Sequence, residues 1–412
     1  MARSYFVLVK TGMLHDLENK ALKQPVEHLV NAVNILLSMH NRAQMRIIGD
    51  LIYINDTPLS MDDGLFTHVR KMSKLTETLK LREITFTQAI ENGDLYEMVE
   101  HIKIAQSRED GAGYISGLDL HKVILADCDQ ERRELPQKQQ SLHAYLVALL
   151  TIKDLVTQIQ SDKASRVAPV KRAMQHLVSM TYADPALMLG LIKMPRYKNR
   201  LFSHLLNTAV LTIVFCERID ADKNLAANIA FTAALHDLDW RGHGDRLMTI
   251  RELLRIYKGD RHGQARLAIL ADLDKPDGSS IAQLISVAAR YEDLTAEGED
   301  GEPVLPDEAL RRIQQEVGTR FHGTAVKLLS AAVGVFPVGS AVELSDGSLG
   351  VVIELPADQR LPDSPIVKRL KNANGSPANS QIIDLHQQSD LRIIKTVQAQ
   401  ELNFNVCSVF LA

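Results

Sequence analysis

Residues 166–335 carry a near-continuous series of apolar runs with helical spacing, and this feature limits the fold more than any other. Segments such as VKRAMQHLVSM, LFSHLLNTAVLTIVFCERI and IAQLISVAARYEDL place apolar side chains three and four residues apart. The alternation that is typical of strands is nearly absent from this part of the chain. We therefore predict that residues 166–335 form an all-α bundle.

The N-terminal flank has a mixed pattern. Within residues 1–125, helical spacing over about 16–40 is followed by MRIIGDLIYIND, which predicts two strands joined at Gly49 and Asp50. A capped helix over LFTHVRKMSKLTETLKL, a strand over EITFTQ and a helix over DLYEMVEHIKIA follow. This order predicts a small α+β sensory or docking module without catalytic spacing.

The next two segments complete the predicted organisation. Residues 126–165 begin with a charged, Gln-rich breaker and continue as an amphipathic run, which predicts a linker helix that is also compatible with a homodimer. Residues 336–412 alternate and contain the turn signals Pro-Val-Gly and Asp-Gly, so we expect a β-rich C-terminal appendix. The predicted fold class is mainly α, with a small α+β domain before the bundle.

Composition excludes several classes of protein. Lys and Arg number 47 against 51 Asp and Glu, and the net charge of -4 disfavours nucleic acid or anionic lipid as partner. No apolar stretch is expected to span a membrane, and no secretory signal is recognised, so we expect a cytoplasmic protein. The three cysteines, Cys128, Cys216 and Cys407, are far apart and predict neither a disulfide framework nor a zinc knuckle.

Four polar residues stand at the edges of apolar helical runs in the bundle. They are His204 in LFSHLLNTAV, His236 and Asp237 in AALHDLDW, and His262 in DRHGQARLAIL. Imidazole and carboxylate groups that converge from several helices can bind a metal that activates water. Among 14 histidines a His-Asp pair also arises by chance, and a second one stands at 15–16, so spacing alone leaves ordinary polar roles open.

These residues and the segments after them resemble the HD-GYP family, metal-dependent phosphodiesterases of cyclic di-GMP. His204-Leu205-Leu206-Asn207-Thr208 is similar to the family's His-Ser-x-Asn-Val motif, and His236-Asp237 matches its name-giving dyad. His262, eight residues before Leu270, resembles the next ligand histidine. The later segments that carry the resemblance are ARYEDLT, EALRRIQQEVGTRF and VFPVGSAVELSDGSLGVV. The resemblance covers residues 195–355 and implies an HD-type helical domain with a strand-rich appendix.

The departures from the family pattern concern its metal ligands. Arg200 stands where the family has a glutamate, Trp240 replaces the lysine and Asp239 the glycine that follow the dyad, and Ala289 replaces the closing aspartate. The paired histidines and the Gly-Tyr-Pro loop are missing, and only KPDGSS offers a loop before Tyr291. Because two bridged ions need about six to eight donors, the resemblance implies at most one divalent iron, manganese or zinc on His204, His236, Asp237 and His262, or none.

Other side chains near the motifs leave further alternatives. Asp239, His243, Asp245 and Glu292 are candidate replacement donors, although loop residues beside a motif are more often solvated than ligating. The basic side chains of MPRYKNR are candidates for binding the phosphates of a ligand, and ordinary solubility is the simpler explanation for them. They are Arg196, Lys198 and Arg200.

The sequence therefore favours a degenerate, non-hydrolytic signalling protein that is linked to cyclic di-GMP through ligand or protein binding. Its N-terminal module would sense or dock, and the linker helix would transmit the signal. The alternative is an active single-metal phosphohydrolase, in which a metal on His204, His236 and Asp237 activates water and His262 positions the phosphate or donates a proton. A third reading is a metal-free bundle that recruits signalling proteins.

Overall fold

The structure is a computed structural model that describes most of the chain in two compact units, residues 1–134 and residues 135–412. The residues outside its description are 17–18, 49–50, 56, 59–74, 77, 128–136, 162–166, 195–199, 239–249, 252, 256–261, 297–302, 357–360, 379–380, 389, 403–405 and 412. The predicted helix over 65–81 and the candidate residues Arg196, Lys198, Asp239, Trp240, His243 and Asp245 fall wholly or largely among them.

The first unit packs helices on one face of an antiparallel sheet. Its described helices are α1 (Ala2–Leu14), α2 (Lys20–His40), α3 (Asn92–Ser107) and α4 (Gly111–Ile115). The strands are β1 (Ala43–Ile48), β2 (Leu51–Ile54), β3 (Thr57–Pro58), β4 (Glu83–Phe86), β5 (Leu118–Asp119) and β6 (Val123–Ala126), in the order β3-β2-β1-β4-β6-β5.

The register of this sheet places its apolar side chains on one face. Ile84 lies opposite Met45 on one neighbouring strand and opposite Leu125 on the other. All three are buried, whereas the alternate positions of β4 and β6 are half-buried. The period of two in the sequence thus selects the face that the helices cover.

The second unit begins with a helical bundle. Its described helices are α5 (Gln137–Gln160), α6 (Ala168–Ala183), α7 (Pro185–Leu191), α8 (Arg200–Arg218), α9 (Lys223–Ala233), α10 (Gly263–Ala271), α11 (Ser280–Thr295), α12 (Pro306–Gln315) and α13 (Gly323–Val333). Helix α8 lies at the centre, since it contacts α5, α6, α9, α11 and α13. Consecutive residues from Leu205 to Cys216 are buried on every side of it, as expected for a core helix that is apolar all round.

A second antiparallel sheet follows the bundle. Its strands are β7 (Ala341–Leu344), β8 (Leu349–Glu354), β9 (Ile366–Lys371), β10 (Ile382–Asp384) and β11 (Ile393–Val397), in the order β10-β9-β8-β7-β11. Val342, Val352 and Val367 belong to its buried apolar cluster. After a 3₁₀ turn at Ala399–Leu402, helix α14 (Val406–Leu411) returns to the bundle.

Specific contacts fix this sheet to the bundle. The hydroxyl of Thr396 donates a hydrogen bond of 2.5 Å to the carboxylate of Asp307 at the start of α12. The ring of Phe410 lies flat against Gly190 in α7, so closely that a Cβ at position 190 would collide with it. The absence of a side chain at Gly190 therefore allows α14 to dock.

Helix α5 belongs to the second unit, because it contacts α6 and α8. Within the described part of the chain it alone has the length and hydropathy of a membrane-crossing segment, and 50% of that window is buried inside the protein. The expectation that no stretch reaches this length does not hold for α5. Core helices pass the same test.

The predicted fold class is confirmed: the chain is mainly helical, with a strand-containing part at its C-terminal side. Helix α1 and the pair β5 and β6 were not predicted. Residues 2–14 form a helix that buries Tyr5, Phe6 and Val9.

Candidate functional site

The candidate site lies where α8, α11 and the turn after α9 meet. Helix α8 places His204 and Asn207 three residues apart and therefore on one face. Glu292 stands near the C-terminal end of α11, and His236 follows the last turn of α9. All four side chains are buried, so each of them needs a polar partner.

The His204 ring binds two partners with its two nitrogens. Its Nδ1 lies 2.5 Å from Oε2 of Glu292, and its Nε2 lies 3.1 Å from Nε2 of His236. The Nδ1 of His236 lies 2.7 Å from the carbonyl oxygen of Ala233, which can only accept a hydrogen bond. His236 therefore donates through Nδ1 and accepts at Nε2. With Glu292 ionised, His204 then donates through both nitrogens as an imidazolium ion.

The electrostatics agree with this proton assignment. Burial lowers the pKa of His236 to about 4, and the positive charge of His204 adds to the shift, so His236 is neutral at physiological pH. Burial also disfavours charge on His204. The hydrogen bond and charge of Glu292, with the charges of Asp293 and Asp237, outweigh it and raise the pKa of His204.

A second set of hydrogen bonds fixes the other carboxylate oxygen of Glu292, Oε1. The side-chain amide of Asn207 donates to Oε1 of Glu292 at 3.1 Å and lies 3.3 Å from the carbonyl oxygen of Ile192. The hydroxyl of Tyr145 in α5 donates to Oδ1 of Asn207 at 2.7 Å. Tyr145 is therefore connected to His204 through Asn207 and Glu292, and one buried network joins α5, α8 and α11.

Asp293 lies on the outer side of the cluster. Its carboxylate is 3.4 Å from Nδ1 of His204 and 3.4 Å from the guanidinium of Arg200. Burial raises the pKa of Asp293, although the positive charges of His204 and Arg200 oppose the shift. The Asp293 side chain is 47% exposed, so solvent reaches the cluster from this side.

The donor atoms of His204, Glu292 and Asp293 lie within 4.8 Å of one another, which fits a single metal ion. Imidazole and carboxylate ligands suit zinc, iron or manganese. Among the residues that the structure describes, no second group of this kind is found. The chemistry of the donor set therefore fits one divalent ion, which would bind His204 in its neutral form and displace the ring proton.

The four predicted ligands have different environments. His204 and His236 are in direct contact, and Asp237 is half-buried beside them, where its charge acts on both imidazoles. His262 is exposed immediately before α10 and lies outside the cluster of His204, Glu292 and Asp293.

Asp293 and Tyr145 were not predicted from the sequence, whereas Glu292 was named there as a candidate replacement donor. Asp293 lies four residues after Ala289, and Glu292 lies three after it, so both share a helical face with the position of the family's closing aspartate. That spacing was the available signal for them. Tyr145 carried no signal, because its role depends on a contact with a residue 62 positions away.

Comparisons with known proteins add three resemblances. The family model of the KOW domain associated with HD domains matches residues 341–405. A cyclic di-GMP phosphodiesterase of Pseudomonas aeruginosa is 24% identical over 253 residues, which cover 53% of this chain and 60% of that protein. The chain thus spans less than two thirds of that relative's length. In structure, Bd1817, an HDG"Y"P protein from Bdellovibrio bacteriovorus, aligns with a TM-score of 0.39 and 11% identity over 70% of this chain and 93% of its own.

Proposed function

We propose that the chain, which is HD-GYP-like in its motifs and in the proteins that it resembles, is a non-hydrolytic signalling protein of cyclic di-GMP pathways. It acts by binding a cyclic dinucleotide or a signalling protein. The network of Tyr145, Asn207 and Glu292 gives a route from α5 to the cluster.

One observation carries this proposal: the guanidinium of Arg200 lies 3.4 Å from the carboxylate of Asp293. Arg200 stands where the resemblance expects a glutamate, so a cation replaces a carboxylate and competes with a metal for Asp293. The remaining donors that converge are enough for one ion, whereas two-metal hydrolysis needs about six to eight.

The same geometry makes Arg200 a phosphate-binding candidate. Its side chain is 41% exposed beside the cluster, and a guanidinium binds phosphate oxygens in pairs. We include Arg196 and Lys198, which lie outside the described residues, in this proposed phosphate site. A cyclic dinucleotide would then bind across the exposed side of the cluster.

A single-metal phosphohydrolase is the second candidate, and the cluster of His204, Glu292 and Asp293 favours it. A divalent ion held there would supply Lewis-acid activation of water for attack on a phosphate ester. The protein's own part would be to hold the ion, with Asn207 fixing Glu292 and Arg200 orienting the phosphate.

Metal analysis and turnover separate the two candidates. Protein purified without chelators would be analysed for iron, manganese and zinc, and then incubated with cyclic di-GMP and generic phosphate esters. We expect less than a stoichiometric amount of metal, no cleavage, and binding of labelled cyclic di-GMP that Arg200→Gln weakens. The exposed carboxylate variant Asp277→Asn is the matched control and should behave as the unmodified chain.

Two other outcomes would contradict the proposal. Stoichiometric metal together with ester cleavage that is lost in Glu292→Gln and kept in Asp277→Asn would establish the hydrolase. Binding of neither metal nor cyclic di-GMP, with no effect of Arg200→Gln, would leave recruitment of a protein partner as the function.

A further inference from the structure

A separate cavity of about 420 Å³ lies between the bundle and the C-terminal sheet. Its wall combines the chain after α7, the end of α11, the start of α12, the start of β7 and the segment after β11. Small-molecule sites in proteins have volumes of about 300–1,000 Å³ and often lie between two structural layers. The size and position of this cavity therefore suit a small organic ligand.

The wall of the cavity is mostly apolar. Ile192, Val304, Leu305 and Val406 are among the side chains that line it. Ser340 also lines the cavity, and its buried hydroxyl has no hydrogen-bond partner among the described residues. A wall of this kind favours a compact apolar body with a polar group at its edge.

Lys193 supplies the cation of the wall, and its side chain is held in place. Its stem lies against Gly339, where an added Cβ would stand 3.0 Å from Cγ of Lys193. Gly339 has φ +86°, a conformation that favours glycine. The ammonium lies 5.8 Å from the centre of the Tyr291 ring. Because it is already positioned, Lys193 loses little side-chain entropy when it binds an anion.

Glu292 also lines the cavity, but both of its carboxylate oxygens already take part in hydrogen bonds. One accepts from His204 and the other from Asn207. His204, His236 and Asp293 are not part of the wall, so among the cluster residues His204, Glu292 and Asp293 only Glu292 borders the cavity.

We propose that this cavity between the bundle and the C-terminal sheet is a second site, which binds a small aromatic or alicyclic organic anion. The ring body packs on Ile192, Val304 and Leu305, and the anionic group binds Lys193. Asn207 and Glu292 belong both to the wall and to the network around His204, so the cavity borders that network. This inference does not depend on whether the cluster hydrolyses an ester.

The test uses the full chain and two fluorescent probes with the same ring system. Anilinonaphthalenesulfonate carries an anionic group, and phenylnaphthylamine lacks it. We expect one sulfonate probe per chain and an affinity at least about tenfold higher than for the neutral probe, because only the sulfonate can form a charge-assisted hydrogen bond with the Lys193 ammonium. Lys193→Met should remove this preference. Ala399→Trp, at an exposed position of the rim, should abolish binding of both probes.

Lys395→Met removes an exposed lysine of β11 and is the matched control, which should bind as the unmodified chain. Far-ultraviolet circular dichroism of each variant shows whether the fold is kept. Equal binding of both probes, binding that survives Ala399→Trp, or several probes per chain would overturn the proposal.

Discussion

Removing the hydroxyl of Tyr145 tests the network that holds the cluster. In Tyr145→Phe the ring keeps its packing, while Oδ1 of Asn207 loses the 2.7 Å hydrogen bond that it now accepts. Both residues are buried, with Tyr145 3% and Asn207 1% exposed, so water cannot replace the lost donor without rearrangement. An unsatisfied buried acceptor costs about 1–3 kcal/mol, and we expect a destabilisation of about 2 kcal/mol.

The matched control is Tyr182→Phe. Its hydroxyl also donates a 2.7 Å hydrogen bond, to the carbonyl oxygen of Ala221, at a half-buried position outside the network. Amide hydrogen exchange in α8 would report the free energy of opening for the bundle in both variants. We expect both variants to exchange faster than the unmodified chain.

A second measurement distinguishes a role in the network from general stability. The imidazole nitrogen resonances of His204 and His236 should shift in Tyr145→Phe and stay unchanged in Tyr182→Phe, because Glu292 loses its fixed position only in the first. Imidazole resonances that do not move in Tyr145→Phe, with an opening free energy within about 0.5 kcal/mol of the unmodified chain, would refute the reasoning.

Three further predictions concern packing, charge and thiol reactivity. Gly190→Ala places a methyl group in the Phe410 ring and should cost about 1–3 kcal/mol, measured as faster hydrogen exchange in α14. The pKa of Asp94 is lowered by its hydrogen bonds to a backbone N–H and a lysine, which outweigh its burial. Its stabilisation is therefore present above pH about 4 and lost as pH falls through the folded pKa. Asp94→Asn should accordingly speed hydrogen exchange in α3 at pH 6 by about threefold, and should match the unmodified chain in acid. Burial raises the pKa of Cys216 to about 11 and of Cys407 to about 12, so in native protein at pH 8 neither thiol should react with a disulfide reagent until denaturant is added.

The helices and strands were predictable where their buried side chains produce a regular spacing of apolar residues in the sequence. The apolar spacing in LFSHLLNTAVLTIVFCERI marks α8, and the alternation in EITFTQ marks β4, where half-buried and buried positions alternate. Helix α5 was predicted as a linker from its position after a breaker. Its contacts with α6 and α8 depend on residues distant in the chain, and a local pattern does not contain them.

The site was predictable only where a short motif names its residues. His204 and His236 stand in motifs, and the structure brings them to 3.1 Å. Glu292 was one of four replacement candidates, since nothing in ARYEDLT indicates that its side chain meets a histidine 88 residues earlier. Asp293 was not predicted, because only its neighbour Glu292 was considered as a replacement donor in the segment ARYEDLT.

The contact between Gly190 and Phe410 has a consequence for the order of folding. The two residues are roughly two hundred positions apart. Their contact therefore requires the closure of a long loop, whose entropic cost is larger than that of forming the local contacts within a helix. Hairpins β7 with β8 and β8 with β9 can form early, whereas α14 can dock only after the bundle and the sheet exist. Until then the face of α7 that it covers is exposed to solvent, so this apolar surface is accessible in the incompletely folded chain.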